Sequence, residues 1–343
     1  MNKACKVIWS HALQQMVVVS EIVSSRGKAK SVCTGFAVHD VEKRDTVWSV
    51  KTLIVHLVLA FGTFAVSPIF AQSAPAGLPG GTLPSGGNVS AGSAVISSNG
   101  ANMLIDQSSQ RAAINWQSFN VGQDAQVHFN NAGGSTLNRV NGPEASTILG
   151  RITAPGQVII SNGNGVFFGR GSMVDVGSLI ATTHSISDEN FMAGNLTFER
   201  NGASGSVVND GELRAKIEGY IALFAPEVRN QGLIVATKGT VALAAGELVE
   251  LQIDPANKLT NIRVEAGQWQ ALVDNKQAIE AEGGLVILSA MAARELQGSV
   301  VNNSGSINAN SLTSVGGRII LTGDHINLQS GSSITATGAL GGG

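Results

Sequence analysis

VNDGELRAKIEGYIALFAPEVRNQGLIVA, residues 208–236, decides the fold. Two versions of one phrase bracket it: VNDGELRA at 208–215 and RNQGLIVA at 229–236. Each is a polar turn containing glycine, placed directly before a β-branched or apolar strand. Gly211 and Gly232 are 21 residues apart. The phrase returns as VNNSGSINA at 301–309 and LQSGSSITA at 328–336, with Gly305 and Gly331 separated by 26. These spacings fit one coil of a parallel β-helix, where coils stack and no coil buries its inner face alone. Inward positions then need Val, Ile, Leu or Ala, and corners need residues that tolerate positive φ, chiefly Gly and Asn. An antiparallel sandwich would instead favour tight Asn-Gly hairpins between alternating runs. Degenerate repeats with stacked Asn/Gly turns favour the helix. The expected fold is all-β: a right-handed parallel β-helix with an N-terminal cap and extra-helical hairpins.

Working outward, SAVISS, AQVHFNN, GQVIISN, GTVALAAG, LVILSA and RIILTG are short apolar or alternating runs bounded by Gly, Asn or Ser, as strands are. Helical periodicity is nearly absent, and its best candidate is Asp274–Glu282. Among 343 residues there are 42 Gly but only 1 Tyr, 4 Trp and 11 Phe, and charged residues make up 13%. That is about half the usual charged fraction, which argues against coiled coils and nucleic-acid binders. Apolar residues reach 43%, enough for a core, so wholesale disorder is excluded. The formal net charge of −2 gives no overall electrostatic reason to expect a polyanionic partner.

Residues 1–71 read as export apparatus rather than fold. LIVHLVLAFGTFAV at 53–66, after Lys51 and before Ser67-Pro68, is short for a membrane span, which needs about 20 apolar residues. Small Ala71 follows at a cleavage position, so 51–71 is a secretory signal core cut between Ala71 and Gln72. Residues 1–30 put Lys3 and Lys6 before an apolar stretch and a basic cluster of Arg26, Lys28 and Lys30. With KVIWSHA and VVVSE, they resemble the extended signal peptide region of very large secreted proteins of Gram-negative bacteria. Cleavage would remove Cys5 and Cys33, leaving a cysteine-free chain at 72–343. Lys+Arg would fall from 22 to 14 and Asp+Glu from 24 to 20, a net charge near −6.

The densest motifs lie between Gln107 and Thr183. They are W-x-S-F-N-V-G at Trp116–Gly122 (with Phe119 and Asn120), L-N-R-V at Leu137–Val140 (with Asn138 and Arg139), and I-L-G-R-I at Ile148–Ile152 around Gly150. N-G-V-F-F-G follows at Asn164–Gly169 with Phe168, and V-G-S-L-I-A-T at Val176–Thr182. In this order they resemble the haemagglutination-activity, or two-partner-secretion, domain that opens filamentous-haemagglutinin-like exoproteins. The resemblance runs over about residues 75–340. The characteristic N-P-N-G-I turn of those proteins is here Asn162-Gly163-Asn164-Gly165-Val166, and a second N-P-N-L motif is missing. Gly163 leaves φ free where proline would set it, while Gly165 still admits positive φ.

The resemblance implies an export signal. A partner outer-membrane β-barrel transporter with periplasmic docking domains would recognise it while extended, and the β-helix would then nucleate at the cell surface. Asn162–Val166 is the turn carried over as the recognition motif; the other motif residues are carried over as mainly structural. A host-cell or glycan receptor is a further expected partner of the adhesin. Nucleic acid and stable membrane insertion are not expected, and the product would be secreted or cell-surface.

No catalytic residue, metal or cofactor is expected. His128, His184 and His325 are widely spaced with no cysteine near them, which rules against a zinc site, and His184 is expected on a surface turn. Asp188-Glu189 and Asp210/Glu212 read as solvated turns rather than the cleft carboxylates of β-helical lyases and hydrolases. SISDENFMAGNLTFERNG at 185–202 breaks the repeat and is expected to project as a hairpin or loop, with Phe191, Met192, Leu196 and Phe198 covering a face or an end. Two alternatives stay open: a β-helical polysaccharide-degrading enzyme, and the passenger fragment of an autotransporter adhesin.

Overall fold

The computed structural model describes residues 5–10, 15–20, 77–267, 270–292, 298–311 and 316–339. The Ala71–Gln72 cleavage site lies outside them. The chain forms two units, Met1–Ile69 and Phe70–Gly343. In the first, Cys5–Ser10 and Gln15–Ser20 pair antiparallel. The second is a parallel β-helix of three sheets.

Each full coil contributes one strand to each sheet in turn. Gln126–Asn130, Ser135–Val140 and Ser146–Ile148 make one such coil, and Arg151–Thr153, Gln157–Ser161 and Val166–Phe168 make the next. Sheet I contains the first strand of each trio, sheet II the second and sheet III the third. Pairing between these coils is parallel and in register in all three sheets: Arg151 beside Gln126, Gln157 beside Ser135 and Val166 beside Ser146. The continuous core inside holds Ile152, Val158, Ile160, Phe168, Val174 and their equivalents in later coils.

Glycine makes the corner between sheets I and II. One glycine stands directly before each of seven successive sheet II strands: Gly134, Gly156, Gly177, Gly219, Gly239, Gly284 and Gly317. None of the seven has positive φ. They are there because the turns nest. A Cβ at Gly156 would lie 2.2 Å from the Gly134 carbonyl oxygen, at Gly219 2.0 Å from Gly177 O, and at Gly239 1.8 Å from Gly219 O. Most corner glycines are therefore demanded by close backbone approach, and the expectation that positive φ would explain them holds only at scattered turn positions such as Gly165, at +122°.

Asparagine makes the corner between sheets III and I. Asn209 Nδ2 donates to Asn230 Oδ1 at 2.8 Å, Asn230 to Asn275 at 2.8 Å, and Asn275 to Asn303 at 2.7 Å. All four are fully buried. Asn209 and Asn230 also accept the N–H of Gly211 and Gly232 two residues on. The repeated phrase of the sequence is this ladder.

Antiparallel strands close the N-terminal end, Asn88–Ala91 on Arg111–Trp116 and Ala94–Asn99 on Asn102–Gln107. Two excursions leave the helix between sheets II and III. The first holds a helix, Asp188–Ala193, and the strand Thr197–Glu199; the second holds the hairpin Leu248–Ile253 and Leu259–Glu265. Their three strands form one antiparallel sheet. It covers the outer face of sheet II through a second apolar cluster that includes Phe191, Leu196, Phe198, Tyr220, Phe224, Val249 and Ile262. With both faces covered, Tyr220–Phe224 and Thr240–Ala245 are buried along their whole length, which is why they read as unbroken apolar runs.

Two expectations change here. Asp274–Glu282 is not helical; it supplies parts of two parallel strands, Leu272–Asn275 and Ala278–Glu280. Among the described residues the helix lies at 188–193 instead, N-capped by Ser187, whose side chain accepts the Asn190 N–H, and ended by Gly194 at φ 83°. Residues 185–202 thus cover a face as a helix and strand, with Phe191, Leu196 and Phe198 buried and Met192 37% exposed.

Candidate functional site

The turn Asn162–Val166 sits between sheets II and III, where it ties three coils together. Asn162 is fully buried. Its Nδ2 donates to Glu144 O at 2.9 Å and Ser146 Oγ at 3.0 Å, and its Oδ1 accepts the Asn164 N–H at 3.0 Å. Gly165 N–H closes the turn onto Asn162 O at 2.9 Å. Asn164 Nδ2 reaches back to Gly142 O at 2.9 Å, and Val166 pairs with Ser146 on one side and Val207 on the other. In the folded domain these asparagines are consumed by internal bonds.

Gly163 is the loose member. A Cβ there meets nothing closer than Ala203 at 3.7 Å, and among the described residues its N–H donates no hydrogen bond. Proline would therefore lose no bond and restrict the unfolded chain. Gly163→Pro is expected to stabilise by about 0.4–1 kcal/mol, read as a rise in the thermal midpoint. A fall would show that the turn needs glycine at this position.

The remaining motif residues are structural, and they lie on both sides of the turn. Trp116 Nε1 donates to the buried Asn138 Oδ1 at 3.0 Å, and Asn138 Nδ2 donates to Ile159 O at 3.1 Å, so two motifs lock each other across the coils. Phe119 meets Trp116 edge-on at 5.5 Å. Asn120 Oδ1 accepts the Thr147 N–H at 2.8 Å. Gly122 and Gly150 stack by close approach: a Cβ at Gly150 would lie 2.2 Å from Gly122 O. Phe168 is fully buried, and a Cβ at Gly169 would lie 2.4 Å from Leu149 Cδ2. Arg139 reaches outward to anchor the first excursion, donating to Asp188 Oδ1 and Ile186 O at 2.7 Å each and to Asn115 Oδ1 at 3.0 Å. Burial raises the Asp188 pKa, but hydrogen bonds from Arg139 and Ser90, together with the Arg139 charge, outweigh it and hold this carboxyl below its ordinary value. Asp188 is thus an anchor as well as a turn residue. Asp210, pushed upward by burial, is not freely solvated either.

His184 corrects the expectation of a surface turn: its relative exposure is 0%. Nε2 donates to Gly246 O at 3.0 Å, the ring meets Phe224 edge-on at 5.6 Å, and Nδ1 has no partner among the described residues. Arg200, paired with Glu247 at 3.1 Å, adds repulsion against a second proton. Polar neighbours in the sequence hid this burial, because the cover comes from the second excursion, where Gly246 lies 62 residues further along the chain. Burial first, then Arg200, lowers its pKa from 6.5 to about 4 despite the Gly246 bond. Because the folded value lies below the unfolded one, the contribution is complete above pH 6.5 and is lost as pH falls to about 4. A loss of roughly 3 kcal/mol across that window is expected in chemical denaturation, and His184→Gln should flatten the profile. A pH-independent wild type would contradict this.

Among the described residues, no group of three His, Cys, Asp or Glu side chains gathers as a metal site. The arrangement is one of stacked turns and anchors, with its motif residues holding coils together.

A family model described as the TPS secretion domain matches residues 80–336, and one described as the Extended Signal Peptide of Type V secretion system matches residues 1–49. A Heme/hemopexin-binding protein of Haemophilus influenzae (strain ATCC 51907 / DSM 11121 / KW20 / Rd) is 32% identical over 261 residues, 74% of this chain. A second protein of that name from Haemophilus influenzae is 29% identical over 255 residues, 68% of this chain. The chain spans only 28% and 27% of those relatives. The crystal structure of the HMW1 secretion domain from Haemophilus influenzae superposes with a TM-score of 0.61 at 28% identity, covering 74% of each chain.

Proposed function

The chain belongs to the family of TPS secretion domains, and from that membership we propose how its export signal is read. It carries an extended signal peptide and the secretion-targeting domain of a two-partner secretion exoprotein of a Gram-negative cell. The partner is an outer-membrane transporter. In our reading, docking domains of that transporter in the periplasm bind Asn162–Val166 while the chain is extended. The observation that carries this is the internal use of Asn162 and Asn164: folded, their amides are bonded within the domain, whereas extended, they are free. Folding and recognition then compete for the same groups. Unpaired strand edges in the extended chain add main-chain hydrogen bonding for the transporter.

Coils stacking outside the cell disfavour return through the pore, giving direction without a nucleotide. The signal core is cut between Ala71 and Gln72. The exported product acts at the surface or in the medium as a non-enzymatic adhesin with a host-cell or glycan receptor.

The test uses peptides. A peptide of residues 157–170 is expected to bind the periplasmic portion of the transporter, and Asn162→Ala with Asn164→Ala is expected to weaken that binding. Equal binding of both peptides would overturn recognition by this turn and leave the family assignment intact.

A further inference from the structure

A groove of about 310 Å³ crosses successive coils at the corner between sheets I and II. Its floor is backbone, because Gly133, Gly156, Gly177 and Gly219 bring no side chains. Arg111, which lies beside Gly194, and Lys216 both line it, as does Asn257 in the turn of the second excursion. A Cβ at Gly194 would lie 2.8 Å from Arg111 Nη2, so the helix cap leaves that guanidinium its space.

The electrostatics are one-sided. Arg111 makes one long hydrogen bond, 3.5 Å to Met192 O, and Lys216 Nζ lies 3.3 Å from Pro155 O. Neither meets a carboxylate among the described residues. Glu218, the lining carboxylate, is held by Lys258 at 2.9 Å. Two uncompensated cations over an uncharged floor select an anion.

The shape and polar groups narrow its class. Gln157, Ser135 and Ser178 also line the groove. The Gln157 amide donates to the Tyr220 hydroxyl and Ser178 Oγ accepts the Tyr220 N–H at 3.1 Å, which leaves Gln157 Oε1 and the serine O–H groups for a polyol. The floor has no free strand edge for a peptide: Gly156 N–H is bonded to Asn131 Oδ1, Gly177 N–H to Gly156 O and Gly219 N–H to Lys216 O, each at 2.8 Å. A nucleic acid would need exposed rings to stack on, and the lining aromatic, Tyr220, is 3% exposed.

We propose that this groove binds a linear acidic oligosaccharide, its carboxylate or sulfate groups held between Arg111 and Lys216 and its hydroxyls by Gln157 and the serines. The site is complete in the folded domain, so its test is independent of export.

Calorimetric titration of the purified chain with a galacturonate hexamer and a heparin-derived hexasaccharide separates the two anion sources. A neutral cellulose hexamer and hexaglutamate are the controls. At least one acidic sugar is expected to bind with salt-sensitive affinity, and both controls are expected to bind far more weakly. Arg111→Ala and Lys216→Ala should each weaken binding about tenfold. Lys216→Arg should retain it, and Arg151→Ala, outside the groove, should leave it unchanged. No acidic sugar binding at millimolar concentration would overturn the proposal. So would hexaglutamate binding as tightly as the sugar, or Lys216→Ala binding like the parent chain.

Discussion

Gly239→Ala is expected to destabilise the β-helix by about 3 kcal/mol or more, the upper end of what overpacking costs. The added Cβ would fall 1.8 Å from the carbonyl oxygen of Gly219, one coil earlier. Backbone on both sides is already committed: Gly239 N–H donates to Ala236 O at 2.9 Å, and Thr240 N–H donates to that same Gly219 carbonyl at 3.2 Å. Neither turn can retreat without stretching inter-coil bonds, and the strain passes along a column of seven glycines. Alanine at Gly171, where a Cβ meets nothing, is the comparison, although its φ of +87° adds a local cost. Guanidinium unfolding of both variants checks the ranking, and a Gly239→Ala chain as stable as the parent would contradict the nesting of turns.

Asn230→Ala is expected to cost a similar amount, about 3 kcal/mol or more. It removes an inner rung of the ladder, stranding Asn209 Nδ2, Asn275 Oδ1 and the Gly232 N–H in an interior where water does not replace them. Buried groups left unpaired cost roughly 1–3 kcal/mol each. The exposed pair Asn327 and Asn302, bonded at 2.8 Å, is the control. Asn327→Ala should fall within about 0.5 kcal/mol of the parent, because solvent satisfies what the pair loses. Equal effects at the two sites would mean that the ladder adds nothing beyond ordinary turn chemistry.

These two columns also show which parts of the fold were legible from sequence. The repeated phrase marks the rungs at Asn209, Asn230 and Asn303 through the glycine placed two residues later. The rung at Asn275 has Gln277 in that place, with its carbonyl accepting Asn275 Nδ2 at 3.1 Å, so the phrase is broken although the bond geometry continues. The second excursion stretches the step from Leu233 to its partner Ala278 to 45 residues, which hides the period there. Glycine abundance pointed to corners correctly but for a partly wrong reason, since nesting is a relation between coils that no single turn encodes. The short helix carried its signals, Ser187 before Asp188-Glu189 and Gly194 after, but six residues are too few for a periodicity.

For the site, the motif residues were legible as a set and their partners were not. Arg139 anchoring Asp188, 49 residues on, and Trp116 meeting Asn138 are long-range contacts that only stacking produces. The turn at Asn162–Val166 could be found by its letters, while the internal use of both asparagines required the neighbouring coils at Gly142 and Ser146.

The most direct test of the whole account follows export itself. Residues 1–343 fused ahead of a reporter would be expressed with and without the partner transporter, alongside a fusion lacking 72–343, and the reporter measured in the medium and at the cell surface. Export is expected only when both the transporter and residues 72–343 are present. Equal export without either one would contradict the assignment of this β-helix as the signal the transporter reads.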